Sequence, residues 1–300
     1  MNSCGDGCCV LLSTYNGEKY LQQQIKSIFL QNISNIKLII RDDGSNDCTI
    51  DIIKMCQEKY GNIEYYKGDN IGSNESFWFL IKHAPNNYGY YALADQDDVW
   101  DIDKLSCAIS KIKNKSCSGV LYHSNLRVVD ENLNFCRNIH RVARNQKSKY
   151  SALAEAIATG CTMVFDNKLL SILQKGNPRG VSCHDTWIYL VAKFMGECIY
   201  DFTPHISYRQ HSNNVIGTYK SLNFRNLFQL FINRINAPYG LRTQNARELL
   251  RCYKNDLSDE DKKILKIFIN YNHNFTSKIK LLLTESIHAT SIFREFIYLM

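Results

Sequence analysis

The sequence predicts an α/β fold with a Rossmann-like, mostly parallel central sheet, and two observations support this class. Short apolar runs alternate with amphipathic, helix-like segments over the first 118 residues, and each apolar run ends in a polar loop. Strands that alternate with helices in this way form parallel sheets that helices cover on both faces. A length of 300 residues with 45% hydrophobic and 22% charged residues is that of a globular chain with one large core or two modest cores.

Four strand and loop units justify the sheet in chain order. The predicted strands cover 10–12, 36–41, 63–66 and 90–93, and the helices that follow the first three cover 20–30, 49–59 and 77–83. Ligands of open α/β sheets bind beyond the carboxyl ends of the strands, so we expect the polar loops after these strands to form the site.

The pattern changes after residue 118. Further strands are predicted at 120–123, 128–130, 159–165, 197–200 and 206–209, and a helix at 184–195. From residue 221 onwards the pattern is helical only. We therefore predict one α/β domain at 1–217, with halves at 8–118 and 119–217, and a helical C-terminal extension at 218–300.

The positive charge is concentrated in the extension. Of 36 basic and 29 acidic residues, 13 and 7 lie in 218–300, whereas 23 and 22 lie before it. A nucleic-acid-binding protein would spread basic residues through its fold, so no nucleic acid partner is expected. Two interpretations of the extension stay open, namely contact with an anionic membrane surface and a helical subdomain that packs on the sheet or on another chain. A second basic segment, 137–149, is interpreted as a mobile loop.

The location predicted from the sequence is the cytoplasm, with a peripheral position on the inner face of the cell membrane if the extension binds lipid. The sequence contains neither a run of eighteen apolar residues nor a signal peptide pattern at its start. Its 12 cysteines are scattered, and many stand beside apolar residues, which favours buried, reduced thiols.

An acidic cluster, Asp95-Gln96-Asp97-Asp98, directly follows the fourth predicted strand. Carboxylates so close together repel each other unless a cation or water separates them. Mg²⁺ or Mn²⁺ is the expected cofactor, because these ions prefer oxygen ligands and bridge carboxylates to substrate phosphates. The alternative is a solvated turn in which Asp98 or Asp101 caps a helix.

Seven motifs in combination carry a family resemblance. They are LLSTYNGEKYL (11–21), RDDGSND (41–47), DNIG (69–72), ADQDDVW (94–100), TGCTMVF (159–165), HD (184–185) and YRQHSNN (208–214). Over residues 8–217 this set resembles the family-two inverting glycosyltransferases of the GT-A fold, and within them most closely the bacterial rhamnosyltransferase-like group. The resemblance implies that 8–118 holds the nucleotide-sugar and 119–217 holds the acceptor.

The resemblance also implies roles for individual residues of the donor site. The residues expected to bind the nucleotide-sugar are Thr14, Tyr15, Asn16, Glu18, Asp42, Asp43, Asn70 and Asp95. The residues expected to hold the metal are Asp95, Asp97 and His211. Taken without the other motifs, these loop residues would be interpreted as turns and helix starts, and His211 as a surface histidine.

The acceptor half is expected to supply the general base. In an inverting transfer a carboxylate removes a proton from the attacking hydroxyl, and Asp185 occupies the matching position. Its neighbour His184 stands where the family usually has a second acidic residue, and Gly160, Trp100 and Trp187 complete the expected acceptor site. The alternatives are that Asp185 caps a helix and that both tryptophans lie in the core.

Taken together, the sequence predicts a metal-dependent inverting glycosyltransferase that moves a sugar, rhamnose above all, from a dTDP- or UDP-sugar to a cell-surface polysaccharide or lipid-linked glycan. Two other classes are considered. A nucleotidyltransferase is disfavoured because the first strand is not followed by a basic, glycine-rich loop for a triphosphate. A catalytically silent nucleotide-sugar or lipid binding module would retain the fold without the base.

Overall fold

The computed structural model describes residues 5–115, 119–139, 148–181, 183–211 and 240–270. The chain divides into two compact units. The first comprises Met1–Arg141, Ala158–Lys175 and Met195–Arg209, and the second Val142–Ile157, Gly176–Phe194 and Gln210–Met300. This division differs from the predicted boundary at 217, because two segments upstream of that boundary group with the C-terminal region.

The first unit contains a seven-stranded and a four-stranded sheet. Within the described residues its strands are β1 (Gly5–Thr14), β2 (Ile36–Asp42), β3 (Ile63–Lys67), β4 (Tyr88–Ala94), β5 (Val99–Trp100), β6 (Val120–Ser124), β7 (Leu126–Val129), β8 (Phe135–Ile139), β9 (Val164–Asp166), β10 (Glu197–Asp201) and β11 (Ile206–Arg209). The larger sheet has the order β3-β2-β1-β4-β9-β6-β10 and is parallel except at β9. The predicted mostly parallel sheet is therefore confirmed.

The centre of the large sheet is buried on both faces, as its uninterrupted apolar sequence predicts. Every residue from Cys8 to Leu12 in β1 is inaccessible to solvent. Along the chain, however, the strand predicted over 159–165 is wrong in its first half. Residues 160–162 form a short 3₁₀ helix, in which the amide of Met163 donates to the carbonyl of Gly160 at 2.9 Å, and β9 begins only at Val164.

Helices follow the first three strands and another helix begins at residue 184, as predicted, and further helices occur that the sequence analysis did not assign, at 104–113, 151–154 and 167–175. The helices are α1 (Leu21–Phe29), α2 (Thr49–Tyr60), α3 (Ser73–His83), α4 (Lys104–Lys113), α5 (Ser151–Ala154), α6 (Asn167–Lys175), α7 (His184–Met195), α8 (Gly240–Cys252) and α9 (Asp259–Asn270). In α1 the buried apolar residues are Leu21, Ile25 and Ile28, which recur on one helical face.

The smaller sheet has the order β5-β11-β7-β8 and brings distant parts of the first unit together. Ile206 at the start of β11 pairs with Trp100 of β5, and Arg209 at its end pairs with Val129 of β7. Arg137, which the sequence analysis assigns to a mobile loop, lies in β8 opposite Val128. Residues 138 and 139 lie in the same strand, and residues 140–147 of the predicted loop lie outside the described residues.

The second unit has its own core. Trp187 of α7 stacks on Tyr253 with ring centroids 6.3 Å apart. Tyr150 donates a hydrogen bond of 2.9 Å to Asp261 of α9, and Lys149 forms an ion pair with the same carboxylate at 2.7 Å. Thus Lys149, another residue of the predicted basic loop, is an ion-pair partner of the helical region.

Across the described residues, no helix is both long enough and apolar enough to cross a membrane. Within the predicted basic extension, Arg247 and Arg251 lie in α8, whereas Arg225 and Arg234 fall outside the described residues.

Candidate active site

The loops that follow β1, β2 and β4 lie at one edge of the large sheet. Thr14 at the end of β1 pairs in register with Asp42 at the end of β2, and Leu12 pairs with Ala94 at the end of β4. Parallel strands therefore end together at this edge, which is where ligands bind in open α/β sheets. The acidic cluster begins with the next residue, Asp95.

The first two loops are locked together by side chains predicted to bind nucleotide. The side-chain Oδ1 of Asn16 accepts a hydrogen bond of 3.0 Å from the backbone amide of Asn46. The backbone amide of Asn16 donates to Ser45 Oγ at 2.9 Å. Glu18 Oε2 accepts from the amide of Cys48 at 3.1 Å. Both side chains thus have a structural contact that fixes the shape of the first loop.

The two predicted nucleotide-binding aspartates at the end of β2 are buried. Asp42 accepts hydrogen bonds from the amide and hydroxyl of Ser45. Asp43 forms an ion pair with Arg41 and accepts from the amides of residues 71 and 72 at 3.0 and 2.8 Å. Asp43 therefore connects the second loop to the third, which carries the exposed Asn70.

Tyr15 presents an open aromatic face beside the acidic loop, since 44% of its surface is exposed. Gln96 fixes this loop to the first one. Its Oε1 accepts hydrogen bonds from Thr14 Oγ1 at 2.6 Å and from the amide of Tyr15 at 2.9 Å, while its Nε2 donates to the carbonyl of Tyr15 at 3.1 Å. The sequence analysis assigned Gln96 no role, although its place between two carboxylates in ADQDDVW was a signal.

Arg209 holds the acidic loop from the other side. Its amide donates to Asp98 Oδ1 at 3.1 Å, and its Nε donates to the carbonyl of Asp97 at 2.8 Å. The two terminal nitrogens bind Gln23 Oε1, at 2.6 Å, and the carbonyl of Glu131. The side chain is buried, and its contacts with Asp98 and Asp97 are shielded from water, whereas those with Gln23 and Glu131 are partly buried. Arg209 lies inside the motif YRQHSNN, but the sequence analysis gave it no function.

Asp98 is the most deeply buried carboxylate of the cluster. Burial, followed by the charges of Asp97 and Asp95, raises its pKa well above the usual range, and Lys104 acts in the opposite direction. Within the described residues, no nitrogen or oxygen donor reaches Asp98 Oδ2.

Lys104 is the buried cation next to the cluster. Its Nζ donates to the carbonyl of Cys161 at 2.6 Å and lies 3.5 Å from the ring centroid of Trp100. Burial lowers its pKa to about 8. The burial of Lys104 could have been expected from the sequence, because Lys104 lies on the same face of α4 as the buried Leu105 and Ala108.

The residues present fit a hard divalent cation. Ligand atoms of Asp95, Asp98 and Cys161 all lie within 4.8 Å of one another. The sulfur of Cys161 is a poor ligand for Mg²⁺ and Mn²⁺, because these ions prefer oxygen donors. The group therefore offers the carboxylate oxygens of Asp95 and Asp98, and Asp97 directly precedes Asp98 in the chain.

Neither tryptophan of the predicted acceptor site presents a ring to solvent. Trp100 is 4% exposed beneath Lys104, and Trp187 is fully buried against Tyr253. Their assignment as the floor of a sugar site is therefore corrected to core packing, which the sequence left open as the alternative. Gly160, also predicted for this site, is buried at the start of the 3₁₀ turn.

The remaining predicted residues belong to the second unit. Asp185 lies in the first turn of α7, partly exposed, and its Oδ1 accepts from the amide of Thr186 at 2.6 Å. His184 is buried, and burial lowers its pKa. The negative charge of Asp185 acts in the opposite direction and raises it. His211 is half-buried at the end of a described range.

Comparisons with known proteins identify the family of the chain. The family model described as Glycosyl transferase family 2 matches residues 9–172. The dTDP-rhamnosyl transferase RfbG of Shigella flexneri is 32% identical over 219 residues, which cover 69% of this chain and 73% of RfbG. The Escherichia coli enzyme WfgD, a UDP-Glc:alpha-D-GlcNAc-diphosphoundecaprenol beta-1,3-glucosyltransferase, is 26% identical over 166 residues, which cover 54% of this chain and 61% of WfgD.

A solved structure shows the same fold. The crystal structure of S. aureus TarS 1–349 in complex with UDP-GlcNAc has a TM-score of 0.60 and 15% identity, covering 97% of this chain and 78% of that one. The expected GT-A class of fold is confirmed by this likeness.

The buried lysine gives a testable pH dependence. Because the pKa of Lys104 falls from 10.5 to about 8 on folding, the unfolded chain binds more protons between these pH values, and stability rises with pH there. Lys104→Met keeps the apolar stem and cannot titrate. In chelator, the free energy of unfolding of the wild type should rise relative to this variant by roughly 1 kcal/mol per pH unit from pH 8 to 10.

Urea denaturation at several pH values measures this difference. The exposed Lys54 of α2 provides the control, since Lys54→Met should differ from the wild type by a constant amount over the same range. If the difference in the free energy of unfolding between wild type and Lys104→Met does not change with pH, the lowered pKa of the buried Lys104 is contradicted.

Proposed function

Because the chain belongs to glycosyl transferase family 2, we propose that it is a metal-dependent, inverting enzyme that uses a dTDP- or UDP-sugar as donor. Transfer of a sugar from a nucleotide-sugar is the activity of the family. Rhamnose is the proposed sugar, and a cell-surface polysaccharide precursor or lipid-linked glycan is the proposed acceptor. The identity to a dTDP-rhamnosyl transferase supports the donor, and the name of WfgD supports a diphosphate-lipid acceptor.

The observation that carries this proposal is the position of the acidic loop beside an open aromatic ring. Tyr15 offers a face on which a pyrimidine can stack, and Gln96 fixes it next to the carboxylates of Asp95 and Asp97. A nucleoside diphosphate requires both features, because its base is planar and its phosphates are anionic. Asp95 and Asp97 would hold the cation, and Asp98 is the more deeply buried carboxylate next to them.

A bound divalent cation would neutralise the charge that develops on the departing nucleoside diphosphate. The residues of the chain keep the two carboxylates in place for this task. Arg209 holds the backbone of Asp97, and Gln96 holds the first loop against it. Such preorganised positions lower the barrier because no rearrangement is needed as charge develops.

Asp185 is proposed as the general base. The acceptor hydroxyl attacks the anomeric carbon from the face opposite the diphosphate, and its proton passes to the carboxylate while the bond to the diphosphate breaks. The configuration at the anomeric carbon is inverted. In support, Asp185 is partly exposed, so its carboxylate is open to solvent although Oδ1 also accepts a hydrogen bond from Thr186.

A peripheral membrane position is proposed on the charge of the C-terminal region. Anionic headgroups contribute roughly 1 kcal/mol per well-placed Lys or Arg. Arg247 of α8 is exposed, whereas Arg251 forms an ion pair with Glu248 at 2.6 Å. A lipid-linked acceptor would be reached most readily by an enzyme held at the membrane surface.

Binding of the donor should require metal. We expect one of dTDP-rhamnose, UDP-glucose and UDP-GlcNAc to raise the melting temperature in Mn²⁺ and to lose this effect in chelator, since a ligand at 100 times its Kd stabilises by about 2.7 kcal/mol. Asp97→Asn should weaken the metal-dependent shift. Asp51→Asn, at an exposed position of α2, is the matched control and should leave it unchanged. Equal shifts in metal and in chelator would contradict metal dependence.

Loss of the base should stop turnover without affecting donor binding. Asp185→Asn is expected to lower kcat by about 10² to 10⁴, the usual contribution of a general base. The control is Asp259→Asn, which removes an exposed carboxylate from the first turn of another helix in the same unit. Unchanged turnover of the Asp185 variant would remove this residue from the mechanism, and a product with the donor's anomeric configuration would exclude inversion.

A further inference from the structure

A second group of metal-ligand side chains occurs outside the acidic loop. Asp103 immediately precedes α4, Cys107 lies one turn further along that helix, and His205 immediately precedes β11. All three place a ligand atom within 4.8 Å of the others. Asp103 occupies the N-cap position of α4, yet its side chain makes no capping hydrogen bond. Its carboxylate is directed to the histidine and the cysteine instead.

Two distances in this group are close to those between zinc ligands. His205 Nδ1 lies 3.1 Å from Asp103 Oδ1, and Cys107 Sγ lies 3.5 Å from Asp103 Oδ2. With Zn–N and Zn–O bonds of about 2.0–2.2 Å and a Zn–S bond of about 2.3 Å, tetrahedral ligands stand about 3.3–3.6 Å apart. A metal ion could therefore replace the present hydrogen bonds with only small movements of these side chains.

The histidine is also oriented as a ligand requires. Its other nitrogen, Nε2, lies 3.5 Å from Asp201 Oδ2. Asp201 is in turn held by Lys111 Nζ at 2.7 Å, Tyr122 OH at 2.8 Å and the amide of Thr203 at 3.0 Å. Metal-binding histidines commonly donate their second ring N–H to such a fixed carboxylate, which leaves the first nitrogen directed at the ion.

We propose that Asp103, Cys107 and His205 bind one Zn²⁺ ion, with water as the fourth ligand. The combination of thiolate, imidazole and carboxylate favours this ion over the oxygen-preferring Mg²⁺ and Mn²⁺. Binding releases the proton of the Cys107 thiol. The carboxylate of Asp103 is 45% exposed, so water can reach the site.

The ion would act as a cross-link within the first unit. It would join the start of α4, which carries Lys104, to the segment that leads into β11 and Arg209. The backbone amide of Arg209 donates to Asp98, and the charge of Lys104 acts on the same carboxylate. The proposed role of the ion is to hold these two segments in position, and this role does not depend on which nucleotide-sugar the enzyme uses.

Cobalt provides the direct test, because Co²⁺ occupies zinc sites and a thiolate ligand gives an intense charge-transfer absorption. The full chain, stripped with chelator, is titrated with Co²⁺ in excess Mg²⁺, which occupies the carboxylate site. We expect the absorption to saturate near one equivalent and to disappear on addition of Zn²⁺. Cys107→Ser should abolish it, whereas the exposed Cys136→Ser and the acidic-loop variant Asp97→Asn should retain it.

Two results would overturn the proposal, namely no charge-transfer band in the wild type and an undiminished band in Cys107→Ser. Asp201→Asn keeps all three ligands and tests the same site if Cys107→Ser fails to fold. It should weaken Zn²⁺ binding by roughly 10- to 100-fold, the usual effect of removing the carboxylate behind a ligating histidine. Unchanged affinity in a folded Asp201 variant would contradict the proposed orientation of His205.

Discussion

The hydrogen bonds from Arg209 to the acidic loop are the constraint on which the rest of the site depends. Three carboxylates in four residues repel one another, and a loop of this kind opens unless something holds its backbone. Arg209 binds the side chain of Asp98 and the carbonyl of Asp97 from the end of a strand in a separate sheet. The smaller sheet therefore places this arginine at the carboxyl edge of the larger sheet.

Charge is divided between the protein and the proposed cation. Lys104 opposes the buried Asp98 from within the core, and its lowered pKa reflects the cost of that position. Asp95 and Asp97 are the carboxylates that we propose for the divalent ion and for the diphosphate that it would bind.

Local sequence patterns predicted many of the strands and helices, whereas residues whose partners are distant in the chain were missed. Apolar runs predicted strands of the large sheet, and the bounds of α7 match the predicted 184–195. Arg209 gained no role from the sequence because its partner Asp98 lies 111 positions away along the chain. The distant partner of Lys104 is the carbonyl of Cys161, 57 positions away. The tryptophans were assigned to a sugar site on residue type alone, and burial decides that question.

The most direct test of this account is donor binding by Arg209→Lys, measured by titration calorimetry in Mn²⁺ and in chelator. Lysine keeps the charge but loses the fork that joins Asp97, Gln23 and Glu131, and such sites do not tolerate the exchange. We predict metal-dependent affinity at least about tenfold weaker, or about 1.4 kcal/mol, with the circular dichroism spectrum retained. Wild-type affinity in the folded variant would contradict the claim that Arg209 fixes the metal-binding loop.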